Sequence, residues 1–321
     1  MLSVVVPVHN EAEVLPGFFD RMHRVLEETG EDYELLFVDD GSTDNSVAQL
    51  MRLRDLDPRV GLIELSRNFG KEVALSAGLE TASGDAVIII DADLQDPPEL
   101  IPEFLTHWRG GYDVVYGRRT ERQGETWMKI TTAKWFYRIL NALTDVEIPP
   151  DAGDFRLLSR RAVDALKSLP ERHRYMKGLY AWIGFPQRAV PYVREARDAG
   201  ATKWSYWRLW NFALEGITSF SDVPLKLATY LGALTATGSF IYGVYFLFKT
   251  LLFGNPVPGY PSLMVVILFL GGVQLICIGI IGEYIGRIFN ETKARPMYVI
   301  ESVHQTRPEA AAGAQTESTA G

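Results

Sequence analysis

The chain has 321 residues, 47% of them apolar, a net charge of −8 and an isoelectric point near 5.3. The apolar share is enough for one large domain or two modest ones, and the acidic balance argues against nucleic acid as a partner. The single cysteine, Cys277, excludes an intramolecular disulfide or a cysteine-based metal cluster.

The first residues, MLSVVVPVHNEAE, have no basic leader and no cleavage motif, so no signal peptide is expected. Through the first 120 residues, short β-branched runs alternate with amphipathic stretches. Segments 2–8, 33–39, 60–65, 85–91 and 112–117 are expected to be strands, and 11–28, 44–55, 70–82 and 98–109 the helices between them. That alternation predicts an α/β fold, a mainly parallel sheet with helices on both faces and ligands at the carboxyl ends of its strands. The polar signatures fall at those ends: HNE, DDGSTD, SRNFGK and DADLQD.

At the fourth strand's end stand Asp91 and Asp93. Two side chains two apart in extended chain share a side, and paired carboxylates there suit a hard divalent ion, Mg²⁺ or Mn²⁺, that holds a diphosphate. Asp96, Pro97 and Glu99 match N-cap, N1 and N3 of a capping box; Asn10 with Glu13 matches another, which leaves Glu11 to face the cleft. In VDDGSTD, Gly41 permits a tight turn and Asp44 caps a helix. That leaves Asp39 and Asp40 to accept hydrogen bonds from a ribose or a pyrimidine ring.

Beyond residue 120 a helix is expected over 126–143, a loop over VEIPPDAGDFR, and a helix over 159–168. In 204–220, Trp207, Trp210, Leu214 and Ile217 recur at helical spacing, which suits an amphipathic helix in the headgroup layer with Trp204 beside it. Leu227 to Phe248 and Leu263 to Gly282 are uncharged runs of 22 and 20 residues, each long enough to span a bilayer and joined by the short loop GNPVPGYPS. Lys226, Arg287, Lys293 and Arg295 lie at the chain-end side of this hairpin and Lys249 alone at the loop, so both termini are expected in the cytoplasm. The resulting division is 1–200 catalytic, 201–224 interfacial, 225–290 hairpin and 291–321 a tail whose end is disordered. Gly271, Gly272, Gly279, Gly282 and Gly286 would allow close helix contacts within one chain or between copies in a homo-oligomer.

Taken together and in order, SVVVPVHNEAEVL, LLFVDDGSTDNS, LSRNFGKEVALSAGLETASGD and IIIDADLQDPPEL resemble the family-2 glycosyltransferases of GT-A fold. Within them, the chain looks most like the polyprenyl-phosphate enzymes, dolichol-phosphate mannose synthases and bacterial bactoprenol glucosyltransferases, over about residues 2–290. The resemblance implies an inverting, metal-dependent hexosyltransferase in a bacterial inner membrane. Its donor would be a nucleotide sugar, UDP-glucose before GDP-mannose, and its acceptor a polyprenyl phosphate such as undecaprenyl phosphate. It further implies donor contacts at Pro7, Glu11, Asp39, Asp40, Asp91, Gln95, Lys203 and Ser205, with a metal on Asp91 and Asp93. Asp154 would be the base near the acceptor, whose phosphate would meet Arg118, Arg119 and Lys134. QxxRW, the mark of processive synthases, is absent. A nucleotidyltransferase would carry a glycine-rich phosphate loop where PVHNEAE stands, and a non-catalytic scaffold would not need Asp91, Asp93 and Asp154.

Overall fold

The computed structural model describes residues 1–120, 149, 152–172, 174–193, 221, 223–254 and 259–306. The helix expected over 126–143 and the interfacial helix of 204–220, with Trp204, Trp207 and Trp210, lie outside these residues. So do Lys134, Lys203, Ser205 and the tail beyond 306.

The first strands arise where expected. β1 (Leu2–Val8), β2 (Tyr33–Asp39), β3 (Val60–Leu65) and β4 (Ala86–Ile89) are nearly continuous apolar runs, as strands covered on both faces must be. Between them run α1 (Leu15–Thr29), α2 (Ser46–Leu56) and α3 (Lys71–Thr81). α4 (Ile101–Arg109), preceded by a 3₁₀ turn at Pro98–Leu100, leads to β5 (Val114–Arg119). β6 (Ala152–Ser159) takes the last five residues of the segment expected to be a loop; α5 (Arg160–Ser168), α6 (Met176–Trp182) and β7 (Gln187–Tyr192) follow.

The eight strands lie in the order β7-β5-β6-β4-β1-β2-β3-β8. β1 pairs in parallel with β2 and β4, β2 with β3, and β5 with β7; the β4–β6, β5–β6 and β3–β8 pairs are antiparallel. The sheet is therefore mixed, with parallel pairs in a small majority. β8 (Ile300–His304) is drawn from the segment expected to be a tail, and closes the β3 edge after the chain has passed through the hairpin.

Two apolar cores flank the sheet. One lies beneath α1, α2 and α4 and includes Phe18, Phe37, Phe104 and Phe155. The other lies beneath α3, α5 and α6 and includes Leu75, Leu79, Leu158, Val163 and Tyr180. α1 shows the cause: Leu15, Phe18, Phe19, Met22, Val25 and Leu26 recur every three or four residues and are all buried.

Two expected capping boxes do not form. The cap position of α1 is Val14; Asn10 instead takes a left-handed backbone (φ 57°), and its Oδ1 accepts the Thr43 and Asp44 amides, tying the β1 and β2 loops together. Asp96 caps nothing. It is buried and accepts from the Tyr192 hydroxyl, while Glu99 pairs twice with Arg21 at 2.7 Å. Asp44 does serve the start of α2, one position before the cap, by accepting the Ser46 amide at 2.9 Å and the Ala12 amide at 3.2 Å.

α7 (Val223–Phe253) and α8 (Tyr260–Thr292) form an antiparallel hairpin, and each is long and apolar enough to cross a membrane. Their apolar windows are not buried, and Phe240, Leu251, Phe269 and Leu275 are exposed. A helix pair in a soluble core would bury that surface. A Cβ at any of Gly271, Gly272, Gly279, Gly282 or Gly286 would meet nothing within 4 Å, so these glycines do not serve close α7–α8 packing.

Candidate active site

The carboxyl ends of β1, β2, β3 and β4 bring four loops to one rim. The turn after β2 needs Gly41: its φ is 63°, and a Cβ there would stand 2.4 Å from the Arg67 carbonyl carbon. This closeness lets the second loop hold the third. Asp40 is buried, and its two oxygens accept the amides of Phe69 (2.7 Å) and Gly70 (2.9 Å), so its carboxylate anchors the loop leading into α3. Burial raises its pKa, and these two amides work the other way. His9, which the sequence did not single out, bonds through Nδ1 to the Asp40 carbonyl and through Nε2 to Asn68.

Asp39 is 2% exposed, and one oxygen accepts the Ser42 amide at 2.9 Å. The other, Oδ1, is buried with no partner among the described residues. An acceptor left over at a strand end is suited to an N–H or O–H from a ligand. Pro7 lies half-buried beside it in register with Val38, and Glu11 is half-buried at the adjoining turn.

β4 ends at Ile89, so Asp91 and Asp93 lie in the turn that follows and not in extended chain; strand alternation is not what orients them. The turn tightens at Leu94, whose φ is 57°, and the Gln95 amide donates to Asp93 Oδ1 at 3.2 Å. Both carboxylates are half-buried at the rim.

Lys71, the first residue of α3, joins this turn to β6. Its Nζ donates to Asp91 Oδ2 at 2.8 Å and to Asp154 Oδ2 at 2.5 Å. Desolvation opposes the ammonium, yet the two carboxylates hold its pKa above the ordinary lysine range. Asp154 mirrors it. Burial alone would push the acid up, but the charges of Lys71 and Lys177 hold it far below the usual carboxylate range. A carboxylate so firmly ionised is a weak base. Glu72, next along the helix, goes the other way, raised by burial and by the Asp154 charge.

The two arginines that end β5 part company. Strand alternation sends them to opposite faces. Arg119 Nε donates to the Tyr192 hydroxyl at 3.3 Å, and its Nη2 lies 3.9 Å from Asp96, on the side of Phe155. Arg118 is exposed on the other face, the one that carries Tyr116. The structure thus groups Asp91, Asp154 and Lys71, places Arg118 on the α6 side of the sheet, and removes Arg119 to the opposite side. Lys71 was missed from sequence; only its place in SRNFGK, at the β3 end, pointed to the rim.

The donor set at the β4 turn is two carboxylates. Among the described residues no three acidic, histidine or cysteine side chains gather as a self-sufficient metal cage. That fits Mg²⁺ or Mn²⁺, which take one or two carboxylates and complete their shell with water and phosphate oxygens.

Residues 3–167 match the family described as Glycosyl transferase family 2, and residues 223–288 match the GtrB C-terminal hairpin. The chain is 53% identical over 302 residues to an uncharacterized glycosyltransferase of Synechocystis sp., covering 94% of this chain and 95% of that one. It is 50% identical over 307 residues to the bactoprenol glucosyl transferase of Shigella phage SfII, covering 96% and 99%. The glucosyl-3-phosphoglycerate synthase of Mycobacterium tuberculosis, crystallised with Mn²⁺, uridine diphosphate and phosphoglyceric acid, is 21% identical, with a TM-score of 0.49 over 68% of this chain and 76% of that one.

Proposed function

The chain belongs to glycosyl transferase family 2, and on that premise we propose that it transfers glucose from UDP-glucose to a polyprenyl monophosphate at the cytoplasmic face of a bacterial inner membrane. The observation that carries this reading is the joining, in one chain, of an acidic rim around Lys71 to a hairpin of two unburied apolar helices. A lipid acceptor cannot leave the bilayer cheaply, so its enzyme has to be held there. The bactoprenol glucosyl transferases, matched across both parts of the chain, support the choice of sugar and lipid.

Asp39 Oδ1 offers the unused buried acceptor for the base or ribose of the nucleotide, with Pro7 and Glu11 beside it. Asp40 fixes the loop that delivers Lys71. Asp93 and Asp91 are the residues that would hold a divalent ion, and Gln95 stands next to them. Such an ion supplies neutralisation of the charge that grows on the departing nucleoside diphosphate. A phosphate monoester has its second pKa near 6 and is already largely a dianion at neutral pH, so the attacking group needs no strong base. Asp154 accordingly orients and balances Lys71, and Arg118 approaches the acceptor from the α6 side. Direct attack on the anomeric carbon inverts it.

The test is to incubate the purified full chain in nanodiscs with Mg²⁺ or Mn²⁺, undecaprenyl phosphate and a panel of labelled nucleotide sugars. Label from UDP-glucose is expected in an organic-soluble lipid product. Label transferred only from GDP-mannose would replace the donor, and no lipid product from any sugar would remove the reading.

A further inference from the structure

A lysine at the first position of a helix is out of place electrostatically, because the positive end of the helix dipole repels it. Lys71 holds that position in α3, after Gly70, whose φ of 100° turns the chain into the helix and whose amide is tied to Asp40. What offsets the repulsion is a pair of carboxylates: Lys71 Nζ stands 2.7 Å from Asp91 Oδ1, 2.8 Å from Asp91 Oδ2 and 2.5 Å from Asp154 Oδ2. We propose that Lys71 is a positioning residue that guards Asp91: its ammonium contends with a divalent ion for that carboxylate and yields it when the diphosphate of the donor arrives as a new counter-ion. The donor part rests on the transferase reading above.

Both oxygens of Asp91 lie against the ammonium, so a metal bond at either one has to weaken a charge-assisted contact. The lysine is the partner able to move. Its side chain is 40% exposed, against 23% for Asp91 and 14% for Asp154, and its four-carbon stem is flexible. Asp154, on β6, keeps hold of the ammonium from the other side, so a Lys71 that leaves Asp91 stays in the rim.

Charge gives the arrangement its use. Asp91 and Asp93 bring two negative charges to the β4 turn, and Lys71 cancels one of them. With that cation in place the turn binds a divalent ion firmly only when phosphate oxygens join the ligand set. The loop that delivers Lys71 also connects this turn to the nucleotide end of the rim, because Asp40 holds the Phe69 and Gly70 amides and adjoins Asp39 with its unused acceptor. Metal and nucleotide are thereby made to bind together.

Mn²⁺ alone is the first probe, titrated into the purified full chain in phosphatidylcholine nanodiscs and followed by the electron paramagnetic resonance of the free ion. Lys71→Met is expected to bind Mn²⁺ roughly ten- to hundredfold more tightly than wild type, and Lys71→Arg, which keeps the charge, about as wild type does. Adding Asp91→Asn to Lys71→Met is expected to abolish the gain. Uridine diphosphate is expected to tighten Mn²⁺ binding by a larger factor in wild type than in Lys71→Met, which has no ammonium to move. Equal or weaker Mn²⁺ binding by Lys71→Met overturns the inference. So does a gain that survives Asp91→Asn, which places it elsewhere, or one that Lys71→Arg shares, which traces it to shape. An equal effect of uridine diphosphate on both proteins overturns the donor part. Should Lys71→Met not fold, wild type decides: Mn²⁺ is expected to speed acylation of Lys71 by an N-hydroxysuccinimide ester, read by mass spectrometry, and an unchanged rate overturns the inference. None of these measurements needs glycosyl transfer, so a failure here leaves the transferase reading standing, and a failure of that reading leaves the competition for Asp91 to be judged by metal affinity.

Discussion

Glu72 and Asp154 are half-buried acids in one cluster whose surroundings drive them apart. For Glu72, burial comes first and the Asp154 charge second, against Lys71 and Lys177, and its pKa is pushed up to about 8 from an ordinary 4.5. Between those values the folded chain keeps a proton that the unfolded chain has released, so this group's contribution to stability falls as pH rises through that window. Glu72→Gln, which carries no such proton, is therefore expected to gain in Tm relative to wild type between pH 5 and pH 8. Thermal unfolding of both proteins at the two pH values checks it, and a constant difference refutes it. Asp93→Asn tests the neighbouring chemistry: transfer should fall roughly a hundredfold or more with the Tm kept within a few degrees, and retained activity would remove the metal from Asp93. In the sequence the acidic pairs stood out because each follows an apolar, strand-like run. Lys71 did not, because nothing in SRNFGK says which of its side chains reaches across to β4 and β6; that depends on Asp40 holding the loop.

α3 carries Lys71 into the rim, and its position is set by one glycine. A Cβ at Gly78 would stand 2.3 Å from Val5 Cγ1 and 3.1 Å from Val38 Cγ2, both on buried strand residues with stiff χ1 angles. Gly78→Ala must push the helix off the sheet, which costs about 1–3 kcal/mol and moves Lys71 with it. A lowered Tm together with a lowered kcat is expected, measured beside Gly232→Ala in α7, where the new methyl meets nothing within 4 Å and neither quantity should change. An unaltered kcat in a destabilised Gly78→Ala would separate the packing from the site. The early strands and helices were legible because each is an apolar run or stripe. β6 was not, since Pro149, Pro150 and Gly153 at and before its start read as a loop; nor was β7, an edge strand that contains Pro191. The capping boxes misled for a related reason: Asn10 and Asp96 spend their side chains on other loops and strands, which local spacing does not reveal.

Across the whole molecule, the chain leaves the sheet for the hairpin and comes back to finish the sheet as β8. The return is fastened: Glu291, near the end of α8, accepts the Arg172 amide at 3.0 Å, the Arg172 guanidinium donates to the Arg295 carbonyl, and the Tyr298 hydroxyl bonds Glu80 at 2.5 Å. The beginning of α7 and the end of α8 must therefore lie on the sheet's side of any membrane the hairpin crosses, because Tyr284 also donates to the Ser221 carbonyl at 2.5 Å. Lys226, Arg287, Lys293 and Arg295 gather at that end and only Lys249 lies near the other, so the charge bias and the covalent path pick out the same end, which supports the cytoplasmic catalytic side proposed above. This can be checked by labelling in cells. In a Cys277→Ser background, Gly259→Cys, exposed at the start of α8, should react with a membrane-impermeant maleimide in spheroplasts. Glu301→Cys, exposed on β8, should react only after permeabilisation. The opposite pattern would place the acidic rim outside the cell, away from nucleotide sugars; labelling of both without permeabilisation would mean that the hairpin lies on the surface and does not cross.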